Sequence, residues 1–282
     1  MLNPMIRLLT ESDRFAAMSF LNRSPEYNLY QLGNLESIGV GTGKDNDICQ
    51  FWGDFVDSSG RGELRAILNR YMTGWSVFGV SAADWSALAE IIDHHPSKPT
   101  RLQDNPGGVQ SILPYLHAFQ PAAVKIEELM RLSAADYRPA PPPMGATIRR
   151  ATRTDFSALT EFYADAEHMS RSPNAVERPL RDTRIWLAEW QKQILSVALT
   201  NAETKNLAMV GGVYTRPNAR GYGLSQAVCS ALSAELLSNR KQPILYWETP
   251  EAGRVYKKIG FKPIGTWRSV LLEPALEFMA AD

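Results

Sequence analysis

The second half of the chain alternates in a way that predicts its elements in order. "RIWLAEW" (184–190) has the period of a strand, "ILSVALT" (194–200) is a second, and "LAMVGGVYT" (207–215) a third, with polar turns "QKQ" and "NAETKN" between them. Apolar residues then switch to helical spacing. Leu224, Val228, Leu232 and Leu236 form one stripe. "ILYWE" (244–248) reads as a short buried strand. "PEAGRVYKKIGF" reads as a helix, with Pro250 in its first turn and Gly260 as its stop. Two closing strands are expected in "KPIGTW" and "RSVLLE". Three antiparallel strands, helix, strand, helix, strand make an α/β fold around a mixed sheet.

The first half shows a fainter version. Strands are expected at "FWGDFV" (51–56), "LRAILNRYM" (64–72) and "WSVFGVS" (75–81), then a helix at "DWSALAEIID" (84–93) and another in "GGVQSILPYLHAF". The halves open alike, as "IRLLTESDRFAAMSFL" from Ile6 and "IRRATRTDFSALTEFY" from Ile148. Asp13 and Asp155 are expected as helix N-caps or first-turn acids, and the shared opening suggests a duplicated unit. Between the halves, "YRPAPPPMG" carries Pro139 and Pro141 to Pro143, which reads as an extended, semi-rigid linker. The expected domains are 1–136 and 147–282, joined by 137–146.

Composition narrows the function classes. The chain has 282 residues, 44% hydrophobic and 21% charged, with zero formal net charge. That balance argues against a nucleic acid or an anionic membrane held by bulk charge. No apolar run approaches membrane-spanning length, and the opening residues carry no secretory pattern. Cys49 and Cys229 are far apart and in no metal-binding spacing, so no metal site is expected and a reducing cytoplasm fits best. The pair His94-His95 precedes Pro96 and reads as plain surface.

Chemistry concentrates in "GGVYTRPNARGYGLSQAV" (211–228). Arg220, Gly221, Tyr222, Gly223, Leu224 and Ser225 join a strand directly to a helix. A helix N-terminus offers unpaired N–H groups and positive dipole, and glycines before it let the main chain approach a bulky anion. The turn is either a phosphate or pyrophosphate cradle or a corner that only closes strand on helix. It is neither a Walker loop nor a dinucleotide fingerprint. Gly211-Gly212 inside the preceding strand suggest a bulge.

"RGYGLS" resembles the Arg/Gln-x-x-Gly-x-Gly/Ala signature of the GNAT N-acetyltransferase superfamily. "GGVYTRPNA" resembles that family's fourth strand, and "ETPEAGRVYKKIGFKPIG" its acyl-CoA-binding second half. The resemblance runs from about Thr147 to the C-terminus, and the first half resembles a degenerate copy. It implies two tandem GNAT-like domains, each a mixed, mostly antiparallel twisted sheet flanked by helices, with acetyl-CoA as acyl donor. It assigns Arg220 and the amides of Gly221, Tyr222, Gly223, Leu224 and Ser225 to the CoA pyrophosphate. Ser225 departs from the usual Gly or Ala, and its hydroxyl is read as a helix cap or a phosphate contact. Val213 and Tyr214 are placed along the pantetheine arm, Thr249 where an asparagine is common, and Tyr256 as general acid to the leaving thiolate.

The implied reaction is direct attack by a primary amine of a small molecule or peptide, with a strand-four N–H near Val213 holding the oxyanion. Glu248 is the candidate base, because the strand-four segment Met209–Gly212 carries no carboxylate. Glu167 and His168 are candidates for the acceptor site. Trp186 and Trp190 read as core or groove wall. The competing reading is a CoA-binding sensor or interaction module without efficient transfer. The first half is read as a wall of the acceptor cleft or as a packing or dimerisation unit, compatible with a homodimer.

Overall fold

The computed structural model describes residues 5–40, 48–56, 62–104 and 106–275. The first half runs β1 (Met5–Leu8), α1 (Arg14–Leu21), α2 (Leu29–Ser37), β2 (Cys49–Phe55), β3 (Leu64–Tyr71), β4 (Gly74–Gly79), α3 (Trp85–His94), β5 (Arg101–Asp104), α4 (Pro106–Ile112) and β6 (Phe119–Arg131). The second runs β7 (Thr147–Arg150), α5 (Phe156–Ala164), α6 (Pro173–Asp182), β8 (Ile185–Trp190), β9 (Gln193–Glu203), β10 (Leu207–Thr215), α7 (Leu224–Ser238), β11 (Gln242–Trp247), α8 (Pro250–Ile259) and β12 (Lys262–Pro274).

These elements form two compact units, one of residues up to Glu127 with those from Thr266 onward, the other Glu128–Gly265. The division is not at 136 and 147. The two strands expected at the C-terminus are one, β12, and its residues from Thr266 belong with the first unit. There Arg268 to Leu271 pair antiparallel with β5. The proline-rich segment has neither helix nor strand, as its composition dictates. It is nevertheless tied to α7: Tyr137 Oη lies 2.9 Å from Ser230 Oγ, and the Ala140 N–H donates to the same oxygen at 2.9 Å.

Within the first unit, β1 to β4 are antiparallel neighbours and β5 runs parallel to β4. Strand alternation sorts the buried side chains onto two faces. Phe51, Phe55 and Ile67 meet α1 and α2, while Trp52, Leu68, Trp75 and Val77 meet α3 and α4. His95 is not plain surface. It stands edge-on to Trp52 and Trp75 and bonds Gln50 Oε1 at 2.9 Å, and burial pulls its pKa down.

In the second unit β7, β8, β9 and β10 are antiparallel neighbours, β11 joins β10 in parallel, and the end of β6 pairs antiparallel with β11. Ala188, Ala198, Ala208 and Val210 face α7 and α8, and Leu187, Val197 and Leu199 face α5. The predicted stripe Leu224, Val228, Leu232 and Leu236 is buried on that first face. Each such side chain contributes roughly 1.5–3 kcal/mol by leaving water.

The shared opening is a shared piece of structure. In each half a Thr and the Asp three residues on form a reciprocal capping box, Thr10 with Asp13 and Thr152 with Asp155. Each Asp also takes an arginine of the preceding strand at 2.7 Å, Arg7 in one half and Arg149 in the other. The arginine pins the strand to the helix start in both units.

Candidate active site

The expected bulge is present in β10. Its antiparallel ladder with β9 passes from Gly211↔Leu199 to Tyr214↔Val197, so β10 carries one residue more than its partner. Gly212 takes φ +57°, and a Cβ on it would stand 2.7 Å from Leu199 Cγ and 2.9 Å from Arg171 Nη2. A glycine is required by both conformation and space. A second shift, between Met209↔Ala202 and Val210↔Thr200, skips Asn201 of β9.

The other edge of β10 parts from its neighbour at the same level. The parallel ladder between β10 and β11 runs only from Leu207↔Gln242 to Met209↔Ile244. Beyond it β11 continues to Trp247 against β6, and β10 continues to Thr215 against β9. A cleft therefore opens between two parallel strands, lined on the β10 side by the backbone of Val210–Thr215. Backbone groups facing it need partners that the sheet no longer supplies, which an extended ligand could provide by adding like a strand.

β10 leads out through a single turn, Pro217–Ala219, to Arg220, Gly221, Tyr222 and Gly223. Gly221 and Gly223 take φ +85° and +80°. Gly223 is the N-cap of α7 and has no side chain to satisfy the first-turn N–H groups of this 15-residue helix. Among the described residues, a Cβ on Gly221 would meet nothing within 4 Å, and one on Gly223 only Pro143, at 4.0 Å. The turn thus combines open space, aligned donors and the positive end of a long helix. Those are the requirements of a bulky anion such as a pyrophosphate.

The remaining predicted residues fall as follows. Leu224 is buried and opens α7, so Ser225 stands at its second position and is not the cap. Tyr222 is exposed. Arg220 is held at its base, with Nε donating to the Thr215 carbonyl at 3.1 Å and Nη2 paired with Glu167 at 3.2 Å. Val213 packs on the α7 face and Tyr214 on the α5 face. The Tyr214 hydroxyl is buried and has no hydrogen-bond partner among the described residues.

Thr249 caps α8 by accepting from the Ala252 N–H. Glu248 lies exposed, one residue beyond the end of β11. Tyr256, on α8, is 7% exposed and packs edge-on to Phe261 in the same core as Cys229. Burial raises its pKa, so the phenol stays protonated and donating, yet releases its proton less readily than a free tyrosine. Trp186 donates to Glu235 Oε2 at 2.6 Å and walls the α7 face, whereas Trp190 is exposed. The side chain of His168 lies outside the described residues.

Two residues at the bulge escaped the sequence pattern. Tyr163 of α5 is fully buried and donates its hydroxyl to the Gly212 carbonyl at 2.6 Å. Arg171 places its guanidinium 5.5 Å from the Tyr163 ring centroid and donates to Asn201 Oδ1 at 3.2 Å. In sequence Tyr163 is one more apolar position of a helix, and Arg171 one more loop cation. Only the glycine pair signalled that side chains must come close there.

Among its described residues, the first unit lacks this constellation. Its β4 pairs with β3 from Tyr71↔Gly74 to Ala66↔Gly79 without a register shift. The start of α3 is occupied by carboxylates of the chain itself. Asp84 accepts from the Ala87 N–H, and the buried Asp54 accepts from the Asp84 N–H at 2.8 Å. An incoming phosphate would meet two acids there.

Comparison with known proteins agrees with this architecture. Residues 191–270, which hold the bulge, the glycine turn and α8, match the family described as FR47-like protein. No curated protein matches the chain. Among solved structures, a GCN5-related N-acetyltransferase from Sphaerobacter thermophilus superposes with TM-score 0.67 at 17% identity, covering 97% of each chain. A Drosophila protein gives 0.66 at 14%, covering 95% of this chain and 99% of its own. A tandem GNAT protein from the clavulanic acid biosynthesis pathway gives 0.62 at 13%, covering 96% and 98%. The chain thus has the fold of these tandem GNAT-type structures, two α/β units each built on a mixed, mostly antiparallel sheet.

Proposed function

We propose that this chain is an acetyl-CoA-dependent N-acetyltransferase acting on a primary amine of a small molecule or peptide, with its catalytic centre in the second half. One coincidence carries the reading: the cleft where β10 leaves β11 begins at a glycine bulge and leads to a glycine turn on an uncapped helix N-terminus. A fold alone hosts many activities. An extended thiol ester bearing a pyrophosphate is the ligand that uses all three features together.

In this reading the amides of Gly221, Tyr222, Gly223, Leu224 and Ser225 bind the pyrophosphate, with Arg220 adding charge beside them. The backbone of Val213 and Tyr214 pairs with the pantetheine arm, and Thr249 contributes its hydroxyl at the far wall. The Gly212–Val213 peptide is planar and trans, so its N–H points opposite to its C=O. Tyr163 holds that C=O, which turns the Val213 N–H away from Tyr163 and presents it as the oxyanion donor. The neutral amine attacks the acyl carbon. Glu248 takes the amine proton, and Tyr256 donates a hydrogen bond to the departing sulfur.

The absence of a carboxylate in Met209–Gly212 and the reluctant acidity of Tyr256 favour one other reading, a CoA-binding sensor. The test is CoA release from acetyl-CoA across an amine panel, beside calorimetric binding of acetyl-CoA. Release with at least one amine supports the transferase. Tight binding with no release from any amine leaves the sensor, and no binding removes both.

A further inference from the structure

Beside the bulge stands a positive charge that no carboxylate among the described residues neutralises. Buried or half-buried arginines elsewhere in the unit have acids: Arg149 has Asp155 and Glu189, and Arg184 has Glu203 and Glu235. Arg171 is half-buried, and its recorded partners are a neutral amide, Asn201, and the face of the Tyr163 ring. No carboxylate pairs with it among the described residues. A second guanidinium, that of Arg178, reaches the backbone carbonyl of the same Asn201 at 3.2 Å. Withdrawing a cation from water without a counter-charge is unfavourable, so an anion gains there.

Position makes that anion informative. Arg171 Nη2 stands 2.9 Å from where a Gly212 Cβ would be, which is within one residue of the proposed oxyanion donor, Val213. The buried, unpartnered hydroxyl of Tyr214 belongs to the same packed face as Tyr163. Resting on the transferase reading, we infer that the acceptor is an amine bearing an anionic group a few bonds from its nitrogen, a carboxylate foremost, and that Arg171 receives that group. Planar guanidinium matches planar carboxylate in a paired, charge-assisted geometry. A free α-amino acid, or a peptide ending within reach, has this chemistry. An amine with no anion leaves the guanidinium as it was.

The experiment compares α-amino acids with their decarboxylated amines and with O-phosphoethanolamine, by acetyl-CoA turnover, in wild type, Arg171→Gln and Arg171→Lys. Glutamine keeps a donor for Asn201 and removes the charge. Wild type should prefer the anionic acceptors in kcat/KM by about tenfold or more, the scale of one charge-assisted contact. That preference should collapse toward one in Arg171→Gln, mainly through KM, and partly survive in Arg171→Lys. The phosphate arm tells whether carboxylate or any anion is read. Preference for neutral amines in wild type, or a ratio untouched by Arg171→Gln, overturns the inference while leaving the transferase standing. If acetyl-CoA binds and no amine releases CoA, the transferase reading fails. Calorimetry of amino acids on the CoA complex then decides the anion site: binding lost in Arg171→Gln supports it, and no binding to wild type overturns it.

Discussion

The hydroxyl of Tyr163 and the carbonyl of Gly212 are joined by a buried hydrogen bond of 2.6 Å. The bond crosses from a helix to the extra residue of a bulged strand, and it fixes a peptide plane that the sheet ladder leaves irregular. In the proposed reaction Tyr163 is thereby a positioning residue for the Val213 N–H. Tyr163→Phe should lower kcat about 10- to 100-fold, less than or equal to the loss of one oxyanion donor. The Kd for acetyl-CoA should change by less than about twofold, because the pyrophosphate turn is untouched. Stability should fall by roughly 1 kcal/mol for the lost bond. An equal loss in kcat and in CoA affinity would indicate a merely structural tyrosine.

Gly223 tests the other end of the cleft. It has φ +80° and its neighbourhood is open on the side of the turn. Gly223→Trp places a large side chain where the anion is proposed to sit, and it strains a left-handed backbone by about 1 kcal/mol. Acetyl-CoA affinity by calorimetry should fall at least about tenfold, with the thermal melt of the protein moving only slightly. Equal affinity in both proteins would remove the pyrophosphate assignment.

The outcome for Tyr256 separates two kinds of help to the leaving group. Burial raises its pKa, so in the proposed reaction it would act by hydrogen bonding the departing sulfur, with full proton transfer disfavoured. Tyr256→Phe should leave CoA affinity within about twofold and slow single-turnover acyl transfer by roughly 10-fold, the low end of acid–base contributions. The alkaline limb of the pH–rate profile should be the same in both proteins, since the phenol does not ionise in the accessible range. A limb that disappears in the variant would show Tyr256 titrating as a true acid.

The parts of this molecule that were legible in the sequence are those where one physical signal acts alone. The stripe Leu224, Val228, Leu232 and Leu236 is one, and the glycines of the α7 turn are another. The two capping acids, Asp13 and Asp155, are a third, since each is fixed by its own half's local chemistry. β6 was missed because Pro121 and the exposed run through Ile126 break any alternation. α6 was missed because most of its faces are polar and it holds Pro179 inside. β12 was split in two by Gly265, which sits where the strand passes from one unit to the other. The site itself was half readable. Backbone chemistry announced the bulge and the turn, but Tyr163 and Arg171 come from a helix and a loop tens of residues away. Their chain-distant meeting with Gly212 is set by packing, to which no local pattern points.

The arginine–aspartate clamp of the second half sets a pH window for stability. Hydrogen bonds from Arg149 hold the Asp155 carboxyl well below its usual range, at about 2 against a model-compound value of 3.8. A carboxyl depressed on folding adds stability that is complete above the unfolded pKa and is lost as pH falls toward the folded one. The window is therefore roughly pH 4 down to pH 2. Asp155 is largely buried while Arg149 is about a third exposed, so screening trims the effect to about 1–2 kcal/mol. Asp155→Asn should cost that much at pH 7 in urea unfolding. The gap between variant and wild type should hold from pH 7 to about 4, then close as pH approaches about 2, where the wild-type carboxyl is protonated too. A gap that stays constant through that acid range would mean that the capping hydrogen bonds, and not the charge of Asp155, hold strand to helix.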